Sequence, residues 1–290
     1  MATCYRHPSR ETGVSCSSCG RPICPDCMTT TPVGMRCPEC ARQRTKVVRM
    51  RDMSAGPKVT IALIAINVIV FLSEGSFTLN GQPTGKIYEE GALFGSIRGA
   101  PTLGVAHGQW WRIVTSGFLH ENLIHIGFNM WVLYYLGMML EPALGHLKFG
   151  VIYAVSLLTG SFGALLVSPH VPTVGASGAV FGVMGAAAVE MRARQIPIMQ
   201  SGVGMLIVLN LIISFTLPGI SWGGHIGGLI GGALAALVLQ LGDRHRQQAL
   251  AIAGCAAIAV AAVAGSLATS HASEAESAVP IQLTPAGPEP

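Results

Sequence analysis

Beyond residue 56 the apolar positions gather into long uninterrupted stretches near 57–73, 120–140, 149–167, 173–190, 196–217, 222–241 and 249–268. Each has roughly the 17 to 25 residues that a helix needs to cross a ~30 Å hydrocarbon layer. The first is the weakest by length, with Pro57 and Lys58 at its entrance before the run from Val59 to Leu72. It spans only if its polar flanks reach into the interface. Gly and Ala recur at four-residue spacing in several stretches, which lets helix backbones approach closely. The pattern predicts an all-α polytopic membrane protein with seven spans.

Composition agrees. Only 11% of the 290 residues are charged and 50% are hydrophobic, against about 25% charged in a soluble domain. That surplus of apolar surface excludes a soluble fold of this size. No secretory signal opens the chain, whose first residues are polar and rich in Cys and Arg.

Charge placement sets an expected orientation. Ten of the 18 Lys and Arg precede the first span, and Lys148, Arg192, Arg194, Arg244 and Arg246 follow spans 2, 4 and 6. Lys86, Arg98 and Arg112 fall to the other side, and the connections at 168–172 and 218–221 carry no charge. The positive-inside rule then makes the N-terminus cytoplasmic and, with seven spans, the C-terminus extracytoplasmic, in a multi-pass protein of the cell membrane. Outside the spans lie a Cys-rich head at 1–40, a basic linker at 41–56, and a Pro-, Ala- and Glu-rich tail at 271–290 expected to be disordered.

The head reads Cys4-x-x-His7, Cys16-x-x-Cys19, Cys24-x-x-Cys27 and Cys37-x-x-Cys40. Four such pairs supply eight donors, enough for two tetrahedral zinc ions. With every coordination position filled by protein, neither ion keeps an open site for a reactive water, so both are structural. The pattern resembles a B-box-type zinc finger. That resemblance implies interleaved sets, Cys4, His7, Cys24 and Cys27 on one ion and Cys16, Cys19, Cys37 and Cys40 on the other, with sequential pairing as the alternative. Cys255, in the last span, reads as a small buried hydrophobe.

Polar groups inside spans are costly, so each needs a partner or a function. Span 2 carries His125 and Asn129, four apart on one helix face; span 4 opens with Gly175-Ala176-Ser177-Gly178; span 6 opens with Gly223-Gly224-His225. Taken alone, Ser177 reads as a packing residue bonded to its own backbone. All four groups nevertheless fall in the outer parts of their spans and converge at one depth. Gly228 and Gly232 follow His225 on one face, and Gly178, Gly182 and Gly185 thin span 4, so that Ser177 and His225 can meet.

Over roughly residues 57 to 241, from Trp111-Arg112 through His125-x-x-x-Asn129 and Gly175-x-Ser177-Gly178 to Gly224-His225-x-x-Gly228-x-x-x-Gly232, the sequence resembles the rhomboid intramembrane serine proteases. The resemblance implies a rhomboid-like six-helix core at 57–241, an additional transmembrane helix at 242–270, and a catalytic dyad without a cofactor. Ser177 would be the nucleophile and His225 its base, while His125, Asn129 and the Ser177 N–H would stabilise the oxyanion. It also implies single-span membrane proteins as substrates and a laterally mobile span 5. Phe181, where many members have Tyr, would stack on His225. The only acids between 113 and 242 are Glu121, Glu141 and Glu190, so a triad carboxylate is missing and His225 needs some other orienting group.

Two other functional classes fit parts of the pattern: an inactive rhomboid-like scaffold that binds transmembrane segments, and a zinc-regulated transporter. Intact Ser177 and His225 argue against the first. The second calls for ionisable groups at the midplane and repeat symmetry, and neither is visible. The head would recruit a cytoplasmic partner or present substrates, and no nucleic acid is expected.

Overall fold

A computed structural model describes residues 2–32, 34–42, 56–75, 79, 85–97 and 102–278. The linker expected at 41–56 and the tail expected at 271–290 lie largely outside the described residues, which omit 43–55 and 279–290. The chain divides into two compact units, Met1–Ser54 and Ala55–Pro290.

In the first unit, two short antiparallel hairpins, β1 (Ala2–Thr3) with β2 (Glu11–Thr12) and β3 (Thr29–Thr31) with β4 (Gly34–Arg36), accompany a one-turn helix α1 (Pro38–Arg42). The buried interior is Ile23 and six cysteines, too little apolar surface to hold a fold without a staple. Glu39 accepts from Tyr5 and Arg6, and Arg10 pairs with Asp26, tying the loops together at the surface.

The second unit is helical: α2 (Lys58–Glu74), α3 (Lys86–Gly91), α4 (Arg112–Thr115), α5 (Leu123–Leu144), α6 (His146–Val167), α7 (Ser177–Ala193), α8 (Val203–Thr216), α9 (Trp222–His245) and α10 (Gln248–Ala278). By length and composition α5, α6, α9 and α10 can each cross a membrane. Helices α2 and α7 have 17 residues and α8 has 14, so α8 is only about 21 Å long at 1.5 Å per residue. Large apolar side chains such as Ile69, Trp131, Phe215 and Val260 point outward, the surface that a lipid environment calls for.

Helix ends follow local chemistry. Asn122 caps α5 by accepting from the His125 N–H at 2.9 Å. Gly145 adopts φ 85° between α5 and α6, a left-handed turn that a side chain would strain. Glu141, fully buried on α5, caps α2 from outside: its carboxylate accepts from Val59 N and Thr60 N at 2.8 Å each, from Thr60 Oγ1 at 2.6 Å, and from His146 Nδ1 at 2.5 Å. These bonds answer orphan donors that begin every helix.

The centre is a glycine-mediated stack of α6, α7 and α9. A methyl on Gly228 would overlap the Gly178 carbonyl oxygen, and one on Gly232 the Gly182 carbonyl oxygen. On the neighbouring face of α9, Gly223 and Gly227 meet Gly163 and the Thr159 carbonyl of α6 with equally little room. Helix backbones this close leave space for no side chain between them. Below the stack, Leu133, Leu136, Phe149, Val183, Met184 and Ala187 form the apolar core.

Helix α10 packs on the back of this stack, where Ala251 and Cys255 bury against Ala235 and Leu239. Cys255 is 1% exposed, in keeping with the small-hydrophobe reading. The helix continues to Ala278, past the expected boundary at 270, because its Ala-, Ser- and Glu-containing end tolerates helix well.

Candidate active site

Ser177 is the first residue of α7, not a residue several positions inside the span as 173–190 implied. The helix cannot start earlier. Thr173 is held extended by paired hydrogen bonds with Leu93, and Gly175 sits at φ 125°, a backbone conformation that only glycine adopts without strain. The Gly175 N–H donates to the Ser116 carbonyl at 2.9 Å, fixing this entry. Ser177 therefore stands at a helix N-terminus, where backbone N–H groups lack intrahelical partners and the dipole is positive.

Across the α7–α9 seam, His225 Nε2 lies 2.8 Å from Ser177 Oγ. His225 is 8% exposed and is held flat against Phe181, with ring centroids 4.1 Å apart and planes 13° apart. The Gly178–Gly228 contact, one residue along α7 from Ser177 and three along α9 from His225, sets the spacing that allows this bond. The expectation of Phe181 stacking on His225 is met.

His125 and Asn129 occupy the facing side of α5. A methyl built on Gly175 would lie 2.7 Å from His125 Nε2 and 3.5 Å from Ser177 Oγ, so all three surround one small volume. The Asn129 side chain is buried and its Nδ2 has no hydrogen-bond partner among the described residues. An orphaned buried donor is unfavourable unless something else accepts from it. A cavity of about 410 Å³ opens at this point, lined by His125, Asn129, Ser177 and His225 at one end and by Val132, Met184 and Asn210 deeper in.

The cavity also meets α8, which brings a hydroxyl to the other ring nitrogen of His225. Ser214 Oγ is 2.6 Å from His225 Nδ1, and the same oxygen donates to the Asn210 carbonyl at 2.6 Å. Asn210 and Ser214 stand four residues apart in a largely apolar helix, a pattern that signals a buried polar contact without telling which residue is the partner. At the start of α4, Arg112 is buried and anchors the first loop, donating to Gln109 Oε1 and to the Glu89 and Ala92 carbonyls at 2.7 to 2.8 Å.

In the head, the donor atoms fall into two groups, Cys4, His7, Cys24 and Cys27, and Cys16, Cys19, Cys37 and Cys40, each with its atoms within 4.8 Å of one another. This is the interleaved arrangement. Thiolates 2.3 Å from a tetrahedral ion would stand about 3.8 Å apart, and Cys19 and Cys37 Sγ are 3.8 Å apart. His7 Nδ1 is 3.3 Å from Cys24 Sγ and 3.4 Å from Cys27 Sγ. The Cys37 N–H pulls the Cys16 thiol down to about 6 against the opposing effect of burial. Burial, reinforced by the Cys4 and Cys24 thiols, pushes Cys27 up to about 11. Both groups fit a metal ion.

A serine and a histidine thus meet across α7 and α9, at the mouth of a cavity and beside a helix N-terminus, in a unit with four helices, among the described residues, long and apolar enough to cross a membrane. The Rhomboid domain family model matches residues 107–241. The chain is 34% identical to the rhomboid protease GluP of Bacillus subtilis over 64% of its own length and 35% of that protein's. It is 35% identical to a second B. subtilis protein, named "Putative rhomboid protease YdcA", over 47% of its own length and 70% of the relative's. The Arabidopsis thaliana protein named "Inactive RHOMBOID-like protein 8" is 34% identical over 41% of this chain and 35% of its own. The chain belongs to the rhomboid family and is a multi-pass membrane protein. It spans only about a third of GluP.

Proposed function

We propose that this chain is an intramembrane serine endopeptidase that cleaves transmembrane-helix segments of single-span membrane proteins. The observation that carries the reading is the 2.8 Å contact between Ser177 Oγ and His225 Nε2 at the mouth of the cavity. His225 takes the Ser177 proton as the hydroxyl oxygen attacks the scissile carbonyl, then returns it to the leaving amine; water, activated by the same imidazole, hydrolyses the acyl-enzyme. The oxyanion forms beside the α7 N-terminus, where the unpartnered Asn129 Nδ2, His125 and the Ser177 N–H can donate. No metal takes part in these steps.

The head holds two structural zinc ions, one per interleaved set, and projects into the cytoplasm to recruit a partner or present substrates. Charge placement supports this orientation, with the site opening toward the outer face of the cell membrane and the C-terminus extracytoplasmic. Labelling of the purified protein by a fluorophosphonate, beside Ser177→Ala, tests the reading. Ser177-dependent labelling together with cleavage of a single-span substrate is expected. Intact protein that neither labels nor cleaves would favour the scaffold alternative.

A further inference from the structure

Helix α8 is apolar along nearly its whole length, yet Asn210 and Ser214 are 6% and 3% exposed and both face the bundle. A serine in such a helix satisfies its proton on the carbonyl four residues back, as Ser214 does on Asn210. A hydroxyl has one proton, and a carbonyl can only accept. The 2.6 Å contact between Ser214 Oγ and His225 Nδ1 must then carry the imidazole's proton, with Nδ1–H donating to the oxygen. A neutral imidazole protonated on Nδ1 keeps its lone pair on Nε2, the atom that faces Ser177. The other tautomer would aim an N–H at Ser177 and could not accept its proton.

We propose that Ser214, its own proton committed to the Asn210 carbonyl, is a positioning residue that fixes His225 in the Nδ1–H tautomer. The inference rests on the reading of Ser177 and His225 as the reacting pair. A neutral hydroxyl then holds the place that a carboxylate holds in water-soluble serine proteases. The substitution suits the surroundings, because a buried carboxylate would carry a large desolvation penalty here, whereas a hydroxyl backed by a carbonyl dipole carries little. As the Ser177 proton arrives on Nε2, Nδ1–H stays on Ser214, so the imidazolium's charge is shared with the Asn210 carbonyl while Nε2–H is delivered to the leaving amine.

The test uses the full chain with 15N-labelled histidine, the His225 signals being identified by their loss in His225→Asn. Wild type should show Nδ1 protonated and Nε2 unprotonated at neutral pH. Ser214→Ala should disturb that pattern and lower kcat by roughly 10- to 100-fold with KM nearly unchanged, short of the ~10^4-fold loss when a charged orienting group is replaced. Ser214→Thr, which keeps the hydroxyl, should restore most of the rate, and equal melting temperatures would separate positioning from misfolding. Ser177 that labels equally fast in wild type and Ser214→Ala, with His225 signals unmoved, would overturn the role of Ser214 alone. A folded wild type that neither labels nor cleaves would instead overturn the protease reading, and the catalytic meaning of Ser214 with it.

Discussion

Replacing Gly228 by Ala probes whether backbone proximity, and not merely the two reacting side chains, sustains the site. The added methyl would overlap the Gly178 carbonyl oxygen and lie 3.1 Å from the Gly178 Cα. Neither atom belongs to a flexible side chain, so α7 and α9 must separate, by on the order of 1 Å, to restore ordinary contact. Ser177 directly precedes Gly178 and His225 lies three residues before Gly228 on the same two helices, so their 2.8 Å bond would open beyond hydrogen-bonding range. A displacement of that size costs about 10^2-fold in turnover, and overpacking of this kind destabilises by about 1 to 3 kcal/mol. The control is Gly150→Ala on α6, where a methyl meets only Val59 at 3.9 Å. Both variants would be assayed for cleavage of a single-span substrate in proteoliposomes and for thermal unfolding in detergent. Wild-type turnover and melting temperature for Gly228→Ala would refute the claim that the glycine seam sets the distance between nucleophile and base.

Asn129→Ala and His125→Ala should lower kcat far more than they raise KM, since their donors act on charge that exists only in the transition state; a pure KM effect in steady-state kinetics would reassign them to substrate binding. Glu141→Ala strips three bonds from the start of α2 and should destabilise by about 3 kcal/mol, read as a lower midpoint in denaturant titration while activity per folded molecule persists. A reporter fused after residue 246 should read cytoplasmic and one after residue 278 extracytoplasmic, and both on one side would contradict the proposed orientation. Metal analysis should find two zinc ions per chain and none after deletion of residues 1–40, with cleavage retained; loss of cleavage on chelation, with the helical unit still folded, would show that the head controls the site.

Much of the site is legible from spacing. His125 and Asn129 share a face because they are four apart, and the glycines of α7 and α9 repeat at the interval that brings two backbones together. Cysteine spacing likewise announces the head, although which pairs combine became plain only when the hairpins placed His7 beside Cys24 and Cys27. Ser214 was hidden for a physical reason. Its contact crosses from one helix to the next, and a serine bonded to its own helix looks the same in sequence whether or not its second lone pair is used. Helix starts were misjudged where the backbone, not hydrophobicity, decides them. Gly175 and the Leu93–Thr173 pairing delay α7 to Ser177, and Pro197 with the 3₁₀ turn Ile198–Ser201 and Gly202 at φ 79° confines α8 to a shorter stretch than 196–217.

Helix α10 changes what counts as the unit of this protein. The Phe162 ring lies so close to Gly265 that a methyl there would come within 2.7 Å of it, and Ser270 rests against Gly95 in the first loop. His107, in a 3₁₀ turn of that loop, reaches Glu274 at 2.9 Å. The loop anchored by Arg112 is thus clasped from behind by a segment more than a hundred residues downstream. A shortened form ending at residue 241 would release that clasp and leave the loop to find its place unaided. Crystallographic or engineering work on a minimal form should keep the chain through Ala278, treating the last helix as a fastening for the outer loop and not as an appendage.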